Sequence, residues 1–455
     1  MKDALRKELL ELNDAHVSDA VIENTESSAL VSRLVGLVQA LVKLGFADDC
    51  VKIYVDVRRT CVEKFLQHSQ IDWKSLKSVD PVSLKWKDME GKLHSWMDMS
   101  AVLTGTVMTT EGLLAKKVFR GMDVLGARAK TGALAYIMGI LVDTGVTFTS
   151  VLKSPEKLFA TLDMYEVTEE LLTQWDDLVK RVSSLKEKIC LVTVQTIHQL
   201  EAAIDHDDSK QLPSGTVHPL TSYVINYLKC SHERSLVLER MFAEVERGPG
   251  SFSQIMHSIL EMLLKNLDKK AKQYKDSSLG CVFLMNNVHH IVQQIQRWEL
   301  QGVIGEVWVQ QKNVSVQQLA SAYRRAAWSK VFNILSLNGD PNDAVQVDLQ
   351  TITRAMIKDR LKLFNATFEE IIAKQRLWAI PDSELRTTVQ LLIGEVVVPA
   401  YQSFLYHARS KVDQQGRMFP GSKDPLVKHK KYSLEEVEGM IGKLFQGHSE
   451  QLSGT

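Results

Sequence analysis

Strand-like runs are almost absent from this 455-residue sequence, and cysteine is scarce. Cys50, Cys61, Cys190, Cys230 and Cys281 lie far apart at no repeating interval. An odd, sparse set is no disulfide framework and fits a reducing compartment. Charge of one sign is missing too: 55 Lys plus Arg balance 55 Asp plus Glu. Without a bulk polycation there is nothing to hold nucleic acid, and an anionic partner has to be met by a local patch. The first sixteen residues, MKDALRKELLELNDAH, are charged and amphipathic and lack the apolar core of a secretory signal. The most apolar stretch, 132–146, is interrupted by Asp143 and falls short of the roughly 20 residues that span a bilayer. It predicts a buried helix, in a chain of cytoplasmic residence.

Chemistry-bearing motifs are equally thin. Cys230 with His232, the His289-His290 pair and Cys50 with Cys61 have no second ligand pair at a metal-binding interval. Neither a metal nor another cofactor is expected. The glycines of GMDVLGARAKTG at 121–132 lack the spacing that converges backbone amides on phosphate, so they are expected to mark a helix crossing or end. Ser150 and Lys153 meet an S-x-x-K spacing by chance, and Asp207-Asp208 and Glu369-Glu370 read as solvated faces. The chain is not expected to be an enzyme.

What is present is helical periodicity. Leu30, Leu34, Leu37, Leu41 and Leu44 recur at spacings of three and four. Val51, Tyr54, Val55, Arg58 and Val62 continue the pattern after Gly45, which predicts an αα-hairpin. Further helices are expected over 86–103, 108–125, 129–145, 155–181, 184–204, 218–230, 233–247, 251–267, 277–297, 313–335, 346–375, 381–394 and 396–408. GEVWVQ within 301–310 is expected to be a loop or turn, because one strand-like segment cannot build a sheet. Ser433 and Glu436 form a capping-box pattern that opens a last helix ending near Phe445.

The predicted fold is all-α, with helices longer than average as in stacked bundles, built as two to four folding units or one elongated multi-bundle body. Polar breaks at 206–215 and 336–343 mark internal boundaries, and the expected bundles are 1–110, 111–210, 211–340 and 341–455, the last with a basic, membrane-facing end. In HPLTSYVINYLKC at 218–230, Pro219 suits a first helical turn. His218 then becomes a cap or packing residue, and Leu220, Val224, Tyr227 and Leu228 form the buried stripe.

Two stretches are basic. One is KNLDKKAKQYKD at 265–276. The other, 409–432, sets Arg409, Lys411, Arg417, Lys423, Lys428, Lys430 and Lys431 against Asp413 and Asp424. Such a cluster suits anionic lipid headgroups.

HPLTSYVINYLKC resembles the signature of the Exo70 family of exocyst subunits, in particular its plant members. Ordered matches follow along the chain: the hairpin at 32–59, Trp86 and Trp96 in a Trp-rich helix, KLFATLDMYE at 157–166, and VFLMNNVHHIVQQIQ at 282–296. YRRAAWSKVF at 323–332, RLKLFNATFEEI at 360–371 and VVVPAYQSFL at 396–405 complete the series. The resemblance implies an elongated rod of consecutive antiparallel helical bundles that tethers secretory vesicles to the plasma membrane before fusion. It implies other exocyst subunits and anionic phospholipid headgroups as partners, with a Rho-type small GTPase and a pathogen effector as further candidates.

The family's terminal Lys-x-x-Lys-Tyr motif falls on Lys428, Lys431 and Tyr432, which assigns phosphoinositide contact to Lys428 and Lys431. His429, Lys430 and Lys423 are neighbouring additions. The resemblance also implies an N-terminally shortened member. The second reading it leaves open is a specialised protein-interaction member acting in plant immunity, with weak or absent lipid binding.

Overall fold

The computed structural model describes residues 1–14, 25–69, 71–77, 79, 86–174, 179–246, 252–336, 353–415 and 430–447. Those residues form helices joined by short turns, and the one strand-type pairing among them is an isolated bridge between Ala379 and Gln446. The expected all-α class is therefore the observed one.

The chain packs as two compact units. Residues 1–200 with 234–251 make the first, and 201–233 with 252–455 make the second. In chain order the helices are α1 (Lys2–Asp14), α2 (Thr25–Lys43), α3 (Ala47–His68), α4 (Trp73–Leu76), α5 (Trp86–Val102), α6 (Met108–Val118), α7 (Asp123–Val151), α8 (Leu158–Gln174), α9 (Val179–Asp205), α10 (Pro219–Glu233), α11 (Ser235–Glu246), α12 (Phe252–Lys272), α13 (Ser277–Arg297), α14 (Gln301–Ile304), α15 (Glu306–Leu335), α16 (Arg354–Gln375), α17 (Ser383–Gln415) and α18 (Leu434–Ile441).

In the first unit, α2 and α3 form the predicted hairpin, and Gly45 (φ +84°) closes the first helix. Leu34, Val38 and Leu41 are buried, while Leu44 is exposed, so the inward stripe of α2 runs through Val38 and ends before Leu44. α5 and α6 are joined without a break through a π-helical turn, Leu103–Val107, where the periodicity predicts a gap. Thr104 Oγ1 donates to the Ser100 carbonyl (3.0 Å) inside this widened turn. Beyond it, Glu111 points at α3, where it accepts from Arg58 Nε (2.9 Å) and Tyr54 Oη (3.2 Å).

Arg58 and Glu111 are both almost fully buried. Burial opposes the charge on Arg58, but the adjoining Glu111 carboxylate outweighs it and raises the guanidinium pKa. Tyr54 is pushed up by burial and by the same carboxylate.

The apolar helix expected over 129–145 is longer, 29 residues, and with Ser383–Ser410 it is one of two helices among the described residues long and apolar enough to cross a membrane. Its burial is that of a core helix. Ala129, Ala133, Ile137, Leu141 and Phe148 face inward, while Asp143 and Arg128 pair outward with Arg181 and Asp48.

The glycines of 121–132 do what helix ends and crossings require. Gly121 ends a turn at φ +79°, and a Cβ on Gly132 would sit 2.6 Å from Val55 Cγ2, so α3 and α7 touch there. Trp96 spans to α7 through Nε1 and the Leu141 carbonyl (2.7 Å). Each such large side chain adds roughly 1.5–3 kcal/mol on burial.

The second unit is organised by α13, whose limits match the predicted 277–297. The polar stretch 206–215 runs inside this unit as a strap. Asn266 Nδ2 donates to the carbonyls of Ile204 and Asp207 (both 2.9 Å), and Asn286 Nδ2 donates to those of Gly215 (2.7 Å) and Ala379 (2.8 Å).

Two further local expectations fail in this unit. GEVWVQ is helical from Glu306, because the register that buries Val316 and Tyr323 also buries Trp308. The helices expected at 381–394 and 396–408 are one 33-residue helix that passes through Pro399. Val389, Ile393, Val397, Tyr401 and Phe404 keep one buried face in register across it. Packing on that face outweighs the lost backbone hydrogen bond.

Candidate functional site

His218 lies at the start of α10, 2% exposed, and its Nδ1 accepts from the Leu220 amide (3.2 Å). Its own amide donates to Asn287 Oδ1 (2.9 Å), which also accepts from Thr221 Oγ1 (2.6 Å). The ring packs edge-on to Phe283, and burial, aided by the nearby Lys270 ammonium, lowers its pKa. Val224, Tyr227 and Leu228 are buried, Leu220 is half-buried and Tyr223 is exposed. His218 is a cap and packing residue, as its position before Pro219 predicts.

Lys430, Lys431 and Tyr432 are held at the entrance to α18. Ser433 caps that helix through the full capping box with Glu436, Oγ accepting from the Glu436 amide (3.1 Å) and the Glu436 carboxylate accepting from the Ser433 amide (2.7 Å). Just upstream, the Tyr432 carbonyl accepts from Tyr401 Oη of α17 (3.0 Å). The Tyr432 ring packs on Phe368, which stacks on Phe364, which stacks in turn on Tyr401. An aromatic column thus fixes the backbone that carries the two lysines.

Lys431 Nζ donates to Glu369 Oε1 at 2.7 Å, and Tyr432 Oη donates to the same oxygen at 2.9 Å. The hydrogen bond from Lys431, then that from Tyr432, holds Glu369 below the usual carboxylate range, and Lys431 is correspondingly raised. Burial and the bond to Glu369 raise Tyr432. Lys431 is half exposed while paired. Lys430 is exposed, and its charge reaches Glu435 as a weak field. Lys423, Lys428 and His429 lie outside the described residues. Of the five residues expected from sequence to meet lipid, the structure therefore describes Lys430 and Lys431 side by side, with one of the two engaged.

Glu369 is the residue that sequence reasoning missed. As half of Glu369-Glu370 on a helix, it carries no local sign that a lysine 62 positions away will reach it. Asp207 is a similar case: with Asp208 it reads as a solvated pair, yet it lies beside the buried ammonium of Lys270 at 3.0 Å. Among the described residues, no group of three or more His, Cys, Asp or Glu could hold a metal ion. The five cysteines are free thiols, three of them buried.

Known proteins resemble this chain over most of its length. The family model for the C-terminal region of the Exo70 exocyst complex component matches residues 94–443. Exocyst complex component EXO70A1 of Arabidopsis thaliana is 32% identical over 454 residues, covering 96% of this chain and 70% of that protein. EXO70A3 of the same plant is 29% identical over 430 residues, covering 92% and 71%. Among solved structures, S. cerevisiae Exo70 superposes with a TM-score of 0.62 at 14% identity, over 98% of this chain and 86% of that one. That last likeness is one of fold.

Proposed function

Because the chain belongs to the Exo70 family of exocyst subunits, whose members are non-catalytic scaffolds, we propose that it is a plant-type tethering subunit. In this reading it works with other exocyst subunits to hold secretory vesicles at the plasma membrane and meets anionic phosphoinositides through its C-terminal bundle. It is cytoplasmic and peripheral at that membrane. The observation that carries the lipid part is the exposed Lys430 beside the half-exposed Lys431 on a backbone fixed by aromatic packing. Ammonium groups near a surface are attracted to anionic headgroups within about a Debye length. Lys428, His429 and Lys423 extend the same patch in sequence, and a Rho-type small GTPase is a further partner in this proposal.

One observation favours a second reading. Lys431 is already paired with Glu369, which reduces the charge that the motif offers to lipid. A member with weak lipid binding, specialised for protein interaction in plant immunity or targeted by a pathogen effector, would fit that. The two readings separate on affinity purification from the source tissue followed by mass spectrometry. Recovery of the other exocyst subunits supports tethering. Their absence, with an unrelated partner recovered in their place, overturns it.

A further inference from the structure

Within the second unit, α12, α13 and α15 share an open channel. Cys281, Leu284 and Val288 follow one face of α13 at spacings of three and four. Leu264 of α12 and Leu319 of α15 face the same space. Leu264, Cys281, Leu284 and Leu319 are half-buried, so the floor is apolar and reachable from solvent. The channel has two adjoining basins of about 530 and 380 Å³ that share Asp268, Leu284 and Leu319. Along α15 the lining runs from Lys312 to Arg325, about 20 Å at 1.5 Å per residue. Three helices that line a common gap, with leucines on its floor and charged residues at its rim, make the seat of a fourth helix.

Charge on the rim selects what that helix carries. Lys312 is neutralised by Glu261 (3.2 Å), and Lys272 by Asp268 (2.6 Å). Arg325 is exposed, and no carboxylate pairs with it among the described residues. Its guanidinium lies close enough to Cys281 to oppose the rise that burial imposes on that thiol. The open positive charge therefore sits at the Arg325 end of an apolar floor.

We propose that this channel is a docking site for a short amphipathic helix of a partner protein, with apolar side chains at i, i+3/i+4 and i+7 seated on Leu284 and Leu319, and an Asp or Glu paired with Arg325. This is helix-in-groove recognition, with the unpaired cation setting orientation.

The test uses the full chain and a fluorescein-labelled, stapled peptide of roughly three helical turns. It has leucine at i, i+3, i+4 and i+7 and one flanking position set to Glu, Gln or Lys. Binding is read by anisotropy, and occupancy of the channel by protection of Cys281 from iodoacetamide in a Cys230→Ser background. The Glu peptide is expected to bind and protect Cys281, with about tenfold weaker binding for Gln and weaker still for Lys. Arg325→Glu, an exposed change that leaves melting unaltered, should invert that order. No preference among the three peptides, or an order that Arg325→Glu leaves unchanged, overturns the proposal. So does binding without protection of Cys281. A dimer in light scattering that Leu319→Arg dissociates would overturn it in favour of a second copy of this chain.

Discussion

The two basic stretches of this protein look alike as sequence and differ in what their charges meet. In 265–276, Lys265 and Lys269 both reach Asp205 (3.2 and 3.0 Å), Lys270 is buried against Asp207, and Lys272 closes on Asp268. Lys275 alone in that stretch is exposed without a carboxylate among the described residues. At 430–432, Lys431 pairs with one carboxylate among the described residues, Glu369, and Lys430 is exposed with none. A run of lysines is therefore not a surface field until the carboxylates of neighbouring elements have been counted. The first stretch secures a strap; the second leaves charge facing water.

The largest expected effect breaks the first stretch. Lys270 is 3% exposed and donates to the Ser209 carbonyl (2.6 Å) as well as pairing with Asp207. Lys270→Ala removes the buried donor that ties Asp207 and the Ser209 carbonyl to α12 and should cost about 2 kcal/mol in chemical denaturation. The exposed Lys430→Ala should leave the same curve within about 0.5 kcal/mol. Equal effects of the two would erase the distinction.

A smaller effect is pH-dependent and belongs to the same strap. The folded state lowers the pKa of His218, so below the unfolded value of about 6.5 the unfolded chain binds more protons. Stability should fall as pH drops from about 6.5 toward the folded value. His218→Asn should flatten that slope in urea melts between pH 7 and 5. A parallel slope in the variant would assign it elsewhere.

The smallest effect sharpens the second stretch. Glu369→Gln releases Lys431, and association with phosphatidylinositol 4,5-bisphosphate vesicles should rise about two- to threefold, as suits a surface pair. Flotation at two salt concentrations checks this, since the gain should shrink as salt rises. No gain at either concentration would mean that Lys431 does not face lipid.

Local features were legible and distant pairings were not. The Ser433 capping box and the end of α2 at Gly45 rest on residues within a few positions of one another. Arg58 was visible as a charge inside an apolar stripe, which demands a buried partner, but Glu111 lies 53 residues away beyond a π turn that shifts the helix face. GEVWVQ misled because its β-branched and aromatic residues suit a strand in isolation, and tertiary packing of Trp308 overrode that preference. The break expected between 394 and 396 is absent from the continuous α17, although the buried spacing across it is present in the sequence. For the candidate site, Lys430 and Lys431 could be placed from sequence. The engagement of Lys431 could not, because nothing local marks Glu369.

The central claim is that open lysines, and not the number of lysines, make the lipid-facing surface. Co-sedimentation of the full chain with phosphoinositide-containing liposomes at physiological salt tests it, comparing Lys430→Ala/Lys431→Ala with Lys265→Ala/Lys269→Ala. The first pair should weaken binding about tenfold and the second less than twofold, with both proteins folded. Equal losses, or a loss confined to the second pair, would contradict the account.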